Sequence, residues 1–301
     1  GPSLGPRPET EYIPEMRMIS WLTLAPLLTL DAFLATVAEG ASVDVSPARF
    51  EADTPAVRLT LEQVRARLAA GTEEKAPDLS RTDLSGLDLH GVDFKRANLT
   101  GANLTGTKLG GANLFTSDLT DATLADADLR KANLDGTVLR RANLKGADLT
   151  GASLFATIIE AADLSGAQMS GTRIIGYLRS AKLVGTNLKN ANMGADPGNQ
   201  SMGVMRATFV GADLTGADLS GANLFKADLS YATLARARLV GTDLRNSELI
   251  QTDLTGADLT GARLDKADLD GATFTGVLGR SEIKGLDQAR NRDKAIFDAS
   301  N

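Results

Sequence analysis

Three acidic residues, Asp228, Glu248 and Asp268, recur at every twentieth position of one stretch of the chain. Carboxylates that stack in space repel one another unless a positive charge lies between them, and such a group could bind a cation weakly. Lys226 and Lys266 stand two residues before the first and the last of these carboxylates, so screening by the two lysines is the alternative. Whether a bound cation or the two lysines offset the repulsion matters only if the fold brings residues with this spacing into contact.

Residues that usually carry out catalysis are scarce in this chain. It contains a single His, His90, and no Cys, and it lacks a Gly-rich phosphate-binding motif, a Walker motif and any His/Cys metal-ligand spacing. His90 stands beside Gly91 at a position that we expect to face solvent. We therefore predict that the protein is not an enzyme and has no cofactor.

The elements that would position these side chains follow a period of five residues. From Leu79 to about Leu278, every fifth residue is Leu or another apolar residue, usually with Ala, Thr or Ser two positions before it. Residues 97–101 read Ala-Asn-Leu-Thr-Gly, and residues 102–106 repeat the same five. This period fits neither a strand nor a helix, so the chain must turn a corner about once per pentapeptide. Leu would fill a narrow core, and Gly at the last position suits the corner.

The tandem pattern Ala-(Asp/Asn)-Leu-x-x resembles that of the pentapeptide repeat family, over roughly two thirds of the chain. The resemblance implies an all-β solenoid, a right-handed quadrilateral β-helix with four pentapeptides per coil. About 38 units would then form nine to ten coils and a rod of about 45 Å. Residues four pentapeptides apart would lie above one another, which would stack the three carboxylates at steps of about 5 Å.

We divide the chain into four segments. An apolar N-terminal segment covers residues 1–44, a linker and capping helix 45–76, the β-helix 77–278 and a C-terminal cap 279–301.

Both caps are predicted to be short helices that cover the ends of the β-helix. Thr60-Leu61-Glu62-Gln63 forms a capping box, with Leu61, Val64 and Leu68 on one helical face and Gly71 as a stop. Such a helix would shield the open end of the tube from aggregation. At the other end the period is lost from Ser281 to Phe297. Dimerisation through this second cap is the alternative.

The segment from Met16 to Ala38 resembles a secretory signal peptide, with a basic residue, an apolar run and small residues at its end. Asp31 interrupts the apolar run. An uncleaved membrane anchor through residues 19–38 and a helix packed against a partner are the alternatives. Gly1-Pro2 stands in place of an initiating Met, so residues 1–15 are expected to be upstream or added sequence. We expect an exported or periplasmic protein, with membrane association and a cytoplasmic location as alternatives.

Two shifts of phase interrupt the repeats. The apolar centres run from Leu79 to Ile174, continue one residue out of phase as Leu178, Leu183, Leu188 and Met193, and return to the first phase at Phe209. Between them, residues 194–206 contain Pro197-Gly198-Asn199, which is typical of a loop. This loop is either part of a binding surface or a tolerated insertion.

One column of residues, taken at every twentieth position, is unusually apolar. It contains Phe115, Asp135, Phe155 and Ile175 at a position expected to point outward, with Tyr177 nearby. Exposed apolar stripes often mark interaction surfaces, so we predict that a protein partner binds here and at Pro197 and Asn199. The alternative is that the N-terminal apolar segment covers the stripe.

Charge separates two possible functions. The resemblance implies that the protein could be a DNA mimic that binds or protects DNA gyrase, as some family members are. Such a mimic needs a charge density near that of DNA, about one charge per 1.7 Å. Residues 79–276 contain 22 acidic and 20 basic residues, so the rod is nearly neutral. We therefore predict a non-catalytic scaffold for a protein partner of unknown identity. We expect no nucleic acid, and a monomer or a cap-mediated homodimer.

Overall fold

A computed structural model describes residues 56–195 and 205–298, which belong to one compact unit, Pro55–Asn301. The predicted signal segment at 16–38 and the loop residues Pro197 and Asn199 lie outside the described residues. Within the described ranges, no helix has the length and apolarity that crossing a membrane requires.

The repeats stack through parallel β-bridges between residues that are four pentapeptides apart. Asp83 pairs with Asn103, Asn103 with Thr123, and Thr123 with Asn143. A coil therefore contains four pentapeptides, as the resemblance implies. The column that begins at Asp78 and ends at Arg290 makes ten such steps, or about 48 Å at the usual strand spacing.

Each pentapeptide buries its apolar centre and the small residue two positions before it. Leu99 and Leu104 have no solvent-exposed surface, and Phe94 fills the same position in another repeat. Where the small residue is Thr, its hydroxyl is satisfied by the backbone, since Thr107 Oγ1 donates to the Leu104 carbonyl at 2.7 Å. The core thus tolerates Ser and Thr without leaving a polar group unpaired.

The corners explain the rest of the repeat pattern. The residue before each centre is usually Asp or Asn because its Oδ1 accepts the amide two residues on, as Asp83 does from Ser85 at 3.0 Å. The residue two positions after the centre adopts a left-handed conformation, with φ of 65° at Gly101 and 57° at Lys131. Gly is common there because it adopts this conformation without strain.

Within residues 56–195 and 205–298, three pairs of continuous strands lie among these bridges, and all are parallel. β1 (Val57–Arg58) pairs with β2 (Thr82–Asp83), β3 (Ser153–Ile158) with β4 (Arg173–Tyr177), and β5 (Thr273–Phe274) with β6 (Ile296–Phe297). β3 still contains a left-handed residue, Ala156, whereas β4 contains none.

The two shifts of phase are a deletion followed by an insertion. Ile158 pairs with Tyr177, and the distance between them along the chain is one residue shorter than in a regular coil. Tyr177 pairs with Thr208, and that distance is eleven residues longer than in a regular coil. One residue is therefore missing at β4, and the extra ones lie between Met193 and Phe209. The net gain of ten equals two pentapeptides, which is why the original phase returns.

The predicted N-terminal helix is confirmed. α1 spans Leu61–Ala69, and both hydrogen bonds of the capping box form between Thr60 and Gln63. Val64 is fully buried against the core, with Leu61 and Leu68 partly buried beside it. The helix ends at Ala69, with Ala70 as its C-cap, so the predicted stop at Gly71 follows directly.

The prediction of a helical C-terminal cap is wrong. Three 3-10 turns, Arg280–Glu282, Leu286–Gln288 and Arg292–Lys294, continue the coil with steps of six residues. Bridges on either side, such as Asp268 with Arg290, fix the ends of each step. Only a single tight turn fits between two bridges, so no α-helix forms among the described residues of this end.

Candidate interaction surface

The predicted apolar column is stacked as expected, but it is less apolar at the surface than its sequence indicates. The Thr116 amide donates to the Asp135 carbonyl, the Gly136 amide donates to that of Phe155, and Phe155 pairs with Ile175. Because β4 lacks a left-handed corner residue, Ile175 turns inward and is only 2% exposed, whereas we expected it to face solvent. Ile175 is therefore a core residue and cannot contact a partner.

The two phenylalanines of this column lie partly beneath cationic side chains. Lys95 Nζ lies 5.8 Å from the ring centre of Phe115, and the Arg173 guanidinium lies 4.6 Å from that of Phe155. Asp135 separates the two rings, and its Oδ1 accepts the Phe155 amide at 2.8 Å. Phe115 and Phe155 thus lie at the edge of an apolar surface rather than at its centre.

The neighbouring column carries a continuous apolar ladder, which consists of Val138, Ile158 and Tyr177. These residues pair in register on three consecutive coils, between Asp118 on one side and Thr208 on the other. Val138 and Ile158 are half-buried, and Tyr177 is 55% exposed. Other repeats place mostly polar or charged residues at this position, so the ladder is a local departure from the repeat.

The sequence prediction included Tyr177 but missed Val138 and Ile158. A signal was present, since both stand where most repeats have Asp or Asn. Their alignment with Tyr177 depends on the deletion at β4, which a fixed spacing of four pentapeptides does not reveal.

Paired charges border the apolar ladder. Arg140 Nε lies 2.9 Å from Glu160 Oε2, and Arg141 donates two hydrogen bonds to Asp121 at 2.6 and 2.7 Å. The hydrogen bond from the Arg141 guanidinium lowers the pKa of the Asp121 carboxyl below its usual value. An apolar centre with a polar rim is the usual composition of a protein interface.

The described residues on both sides of the insertion belong to the coil. The Ala195 amide donates to the Phe225 carbonyl at 2.8 Å, and the chain is described again from residue 205. Thr208, which pairs with Tyr177, follows a few residues later. After the insertion, the described chain thus returns to the column of the apolar ladder at Thr208.

The three carboxylates do stack, as Asp228 pairs with Glu248 and Glu248 with Asp268. Arg206 relieves their repulsion, since its Nη1 lies 2.8 Å from Glu248 Oε1 and its Nη2 lies 3.5 Å from Asp228 Oδ2.

At the other end of the stack, Arg290 Nη2 lies 3.6 Å from Asp268 Oδ2. The screening thus comes from two arginines and not from Lys226 or Lys266. Across residues 56–195 and 205–298, no group of three or more His, Asp or Glu side chains could hold a metal ion.

Comparison with known proteins agrees with this architecture. The sequence profile described as "Pentapeptide repeats" matches residues 78–114, 117–154, 205–239 and 237–276 in eight copies. HetL, a pentapeptide repeat protein involved in heterocyst differentiation regulation in the cyanobacterium Nostoc, is 32% identical, with a TM-score of 0.54. That alignment covers 78% of this chain and 98% of HetL. The chain belongs to the pentapeptide repeat family.

Two other pentapeptide repeat proteins are less similar in structure. A protein of the Arabidopsis thaliana thylakoid lumen is 30% identical over 45% of this chain and 81% of its own, with a TM-score of 0.24. Full-length QnrB1, a plasmid-mediated fluoroquinolone resistance protein, is 16% identical over 72% of this chain and 93% of its own, with a TM-score of 0.28. At these TM-scores neither protein bears on the function of this one. No curated protein matches the chain.

Proposed function

We propose that this pentapeptide repeat protein is a non-catalytic scaffold whose apolar ladder, Val138, Ile158 and Tyr177, docks a protein partner. The coils form a right-handed quadrilateral β-helix that holds the ladder rigidly. The observation that carries this proposal is the replacement of polar residues by apolar ones on three consecutive coils of a single outward column. Exposed apolar groups on a polar surface favour association with another protein.

Several features of the surface support this role. Tyr177 offers a large apolar ring with a hydroxyl group, and Tyr is enriched among the residues that dominate binding energy. Phe115 and Phe155 extend the apolar area on one side, while the ion pair of Arg140 with Glu160 forms part of the rim. The coil beneath is tightly packed, so little conformational entropy would be lost on binding.

Photo-crosslinking in the native host tests where the partner binds. A photoreactive phenylalanine analogue placed at Tyr177 should crosslink to one protein, whereas the same analogue at Tyr231 should not. The two sites are matched in exposure, at 55% and 60%. Crosslinking of the same protein from both sites, or from Tyr231 alone, would place the partner elsewhere.

We also propose that α1 and the three 3-10 turns close the two ends of the β-helix and that the protein is a monomer. Leu278 and Ile296 remain exposed at the C-terminal end, so dimerisation there is the alternative. Sedimentation at increasing concentration distinguishes the two. A constant mass of one chain supports closure, and a twofold mass that reverts on L278S/I296S supports the dimer.

Gyrase protection remains the alternative function. Ion pairs such as Asp88 with Lys108 and Asp163 with Lys145 place opposite charges side by side on the rod, which is unlike the uniform charge of DNA. A supercoiling assay distinguishes the two functions. A scaffold of the proposed kind leaves gyrase activity unchanged, with or without a quinolone, whereas a protein that binds or protects gyrase changes it.

Export through residues 16–38 is likewise a proposal, supported by the signal-like sequence alone. A reporter fused after Ala38 should be exported. A reporter that stays in the cytoplasm would refute it.

A further inference from the structure

A second unusual surface lies on the C-terminal side of the insertion, at the same corner of the coil as Ala156. Five residues line a depression of about 360 Å³, which we term the basic depression: Arg206, Lys226, Asn246, Lys266 and Arg290. Four of them are basic, and the fifth carries an amide that can donate hydrogen bonds. Arg206, Lys226, Asn246 and Lys266 stand in one column, and Arg290, which pairs with Asp268, lies one coil further on in the neighbouring column, so the depression extends about 19 Å.

The two arginines at the ends of the basic depression are fixed in place. Arg206 donates to both carboxylate oxygens of Glu248, at 2.8 and 3.2 Å, and approaches the Lys226 carbonyl at 3.5 Å. Arg290 Nε donates to the Lys266 carbonyl at 3.2 Å, while its Nη2 lies 3.6 Å from Asp268. Each arginine thus forms an ion pair with the stacked carboxylates, which we term the acidic stack, and also contacts the backbone of a lysine in the depression.

The two lysines differ from the arginines because their charges are not matched. Among the described residues, neither Lys226 nor Lys266 has a carboxylate within ion-pair distance; Lys226 Nζ instead lies 5.3 Å from the Phe225 ring. Both occupy left-handed corner positions, with φ of 60° and 59°, and Asn246 lies between them with φ of 57°. Two coils separate the lysines, a distance of about 10 Å along the column.

Stacked like charges are unfavourable without a counter-charge. The three stacked carboxylates Asp228, Glu248 and Asp268 are already engaged by the arginines and turns, so an anion from solution can interact with Lys226 and Lys266 without displacing an ion pair. Charge-assisted hydrogen bonds to oxyanions are among the stronger polar contacts. The volume of the depression falls within the range of small-ligand pockets.

We infer that the basic depression binds a small multivalent oxyanion of the phosphate type, which spans Lys226 and Lys266 and accepts a hydrogen bond from Asn246. The two clamped arginines frame the site and limit its length. A ligand with at least two negative charges fits better than a monovalent one, because a single charge cannot neutralise two lysines about 10 Å apart. The site is independent of the apolar ladder.

Isothermal titration with inorganic tripolyphosphate at low salt tests the inference. We expect one saturable site, an affinity that falls as salt is added, and no binding of acetate. In K226Q/K266Q the affinity should fall by about tenfold or more, and N246G, which keeps the left-handed backbone, should weaken binding to a smaller extent.

K131Q is the matched control. Lys131 also occupies a left-handed corner and is exposed, but its neighbours one coil away are Gly111 and Gly151, so it is an isolated cation. Its replacement should leave the affinity unchanged. An absence of saturable binding by the wild-type chain overturns the inference. So does equal binding by folded K226Q/K266Q, or an equal loss in K131Q, while the scaffold proposal would stand in each case.

Discussion

Ile158 pairs with Tyr177 on the next coil, just as Val138 pairs with Ile158 on the coil before. The spacing along the chain from Ile158 to Tyr177 is one residue shorter than the spacing from Val138 to Ile158. The missing residue places Tyr177 directly above Ile158 and Val138. It also removes the left-handed corner from β4, which buries Ile175. A single deletion therefore completes the apolar ladder with Tyr177 and takes Ile175 off the surface.

Gly176 makes this shortened coil possible, because a Cβ at this position would overlap the Thr157 carbonyl oxygen. Gly176→Ala should destabilise the protein by about 3 kcal/mol, the cost of forcing atoms into a packed interior. Gly166→Ala is the control, since Gly166 has φ of 70° but open space around it. Its cost should be about 1 kcal/mol, from backbone strain alone. Denaturant unfolding measures both, and equal losses would show that Gly176 is not constrained by packing.

Replacing Arg206 should lower the free energy of unfolding by more than replacing an ordinary surface cation does. Its side chain is 29% exposed beside Glu248 at 33%, whereas Lys108 and Asp88 form a pair that is 64% and 63% exposed. Arg206→Gln leaves stacked carboxylates without their counter-charge and should cost about 2 kcal/mol.

The matched substitution Lys108→Gln should cost about 0.5 kcal/mol or less. The loss in Arg206→Gln should also shrink as salt is added, because salt screens the repulsion between the carboxylates. Equal losses in the two variants, or a loss insensitive to salt, would refute the role given to Arg206.

On acidification, stability should hold until the carboxyls that are paired in the folded state begin to protonate. The hydrogen bond from Arg141 holds the pKa of Asp121 below its usual value of 3.8, and the hydrogen bond from Arg130 does the same for Asp128. A carboxyl with a lowered pKa in the folded state contributes its full stability above the unfolded value and loses it as the pH falls through the folded value.

The melting temperature should therefore be nearly constant from about pH 7 to about pH 5 and fall below about pH 4. Asp121→Asn, which suits the left-handed backbone at this position, should reduce the acid-induced loss. A steep decline between neutral pH and about pH 5 would mean that other groups control stability.

Local patterns allowed much of this fold to be predicted from the sequence. Thr60 and Gln63 indicate the capping box because its hydrogen bonds join residues three apart, and a period of five predicts the stacking of Asp228 on Glu248. The C-terminal turns were missed, although Gly279, Gly285 and Asn291 mark their six-residue step.

The candidate site was harder to predict because it depends on register. Arg206 contacts Glu248 from two coils away, and no local spacing indicates that an insertion will return an arginine to that point. The burial of Ile175 likewise follows from a single missing residue. Predicting which residues lie together after a shift of phase requires the structure of the coil, because the sequence does not show where the pairing resumes.

The most direct test of the scaffold proposal is a quantitative comparison of partner binding by two variants. Ile158→Thr with Tyr177→Asn restores residues that other repeats place at this position, and Tyr231→Asn removes a similarly exposed tyrosine from another column. Each tagged chain is used for affinity purification from the native host, and the protein crosslinked at Tyr177 is quantified. Recovery should fall about tenfold or more with the ladder variant and stay at the wild-type level with Tyr231→Asn. Undiminished recovery with a folded ladder variant would contradict the proposal that this surface docks the partner.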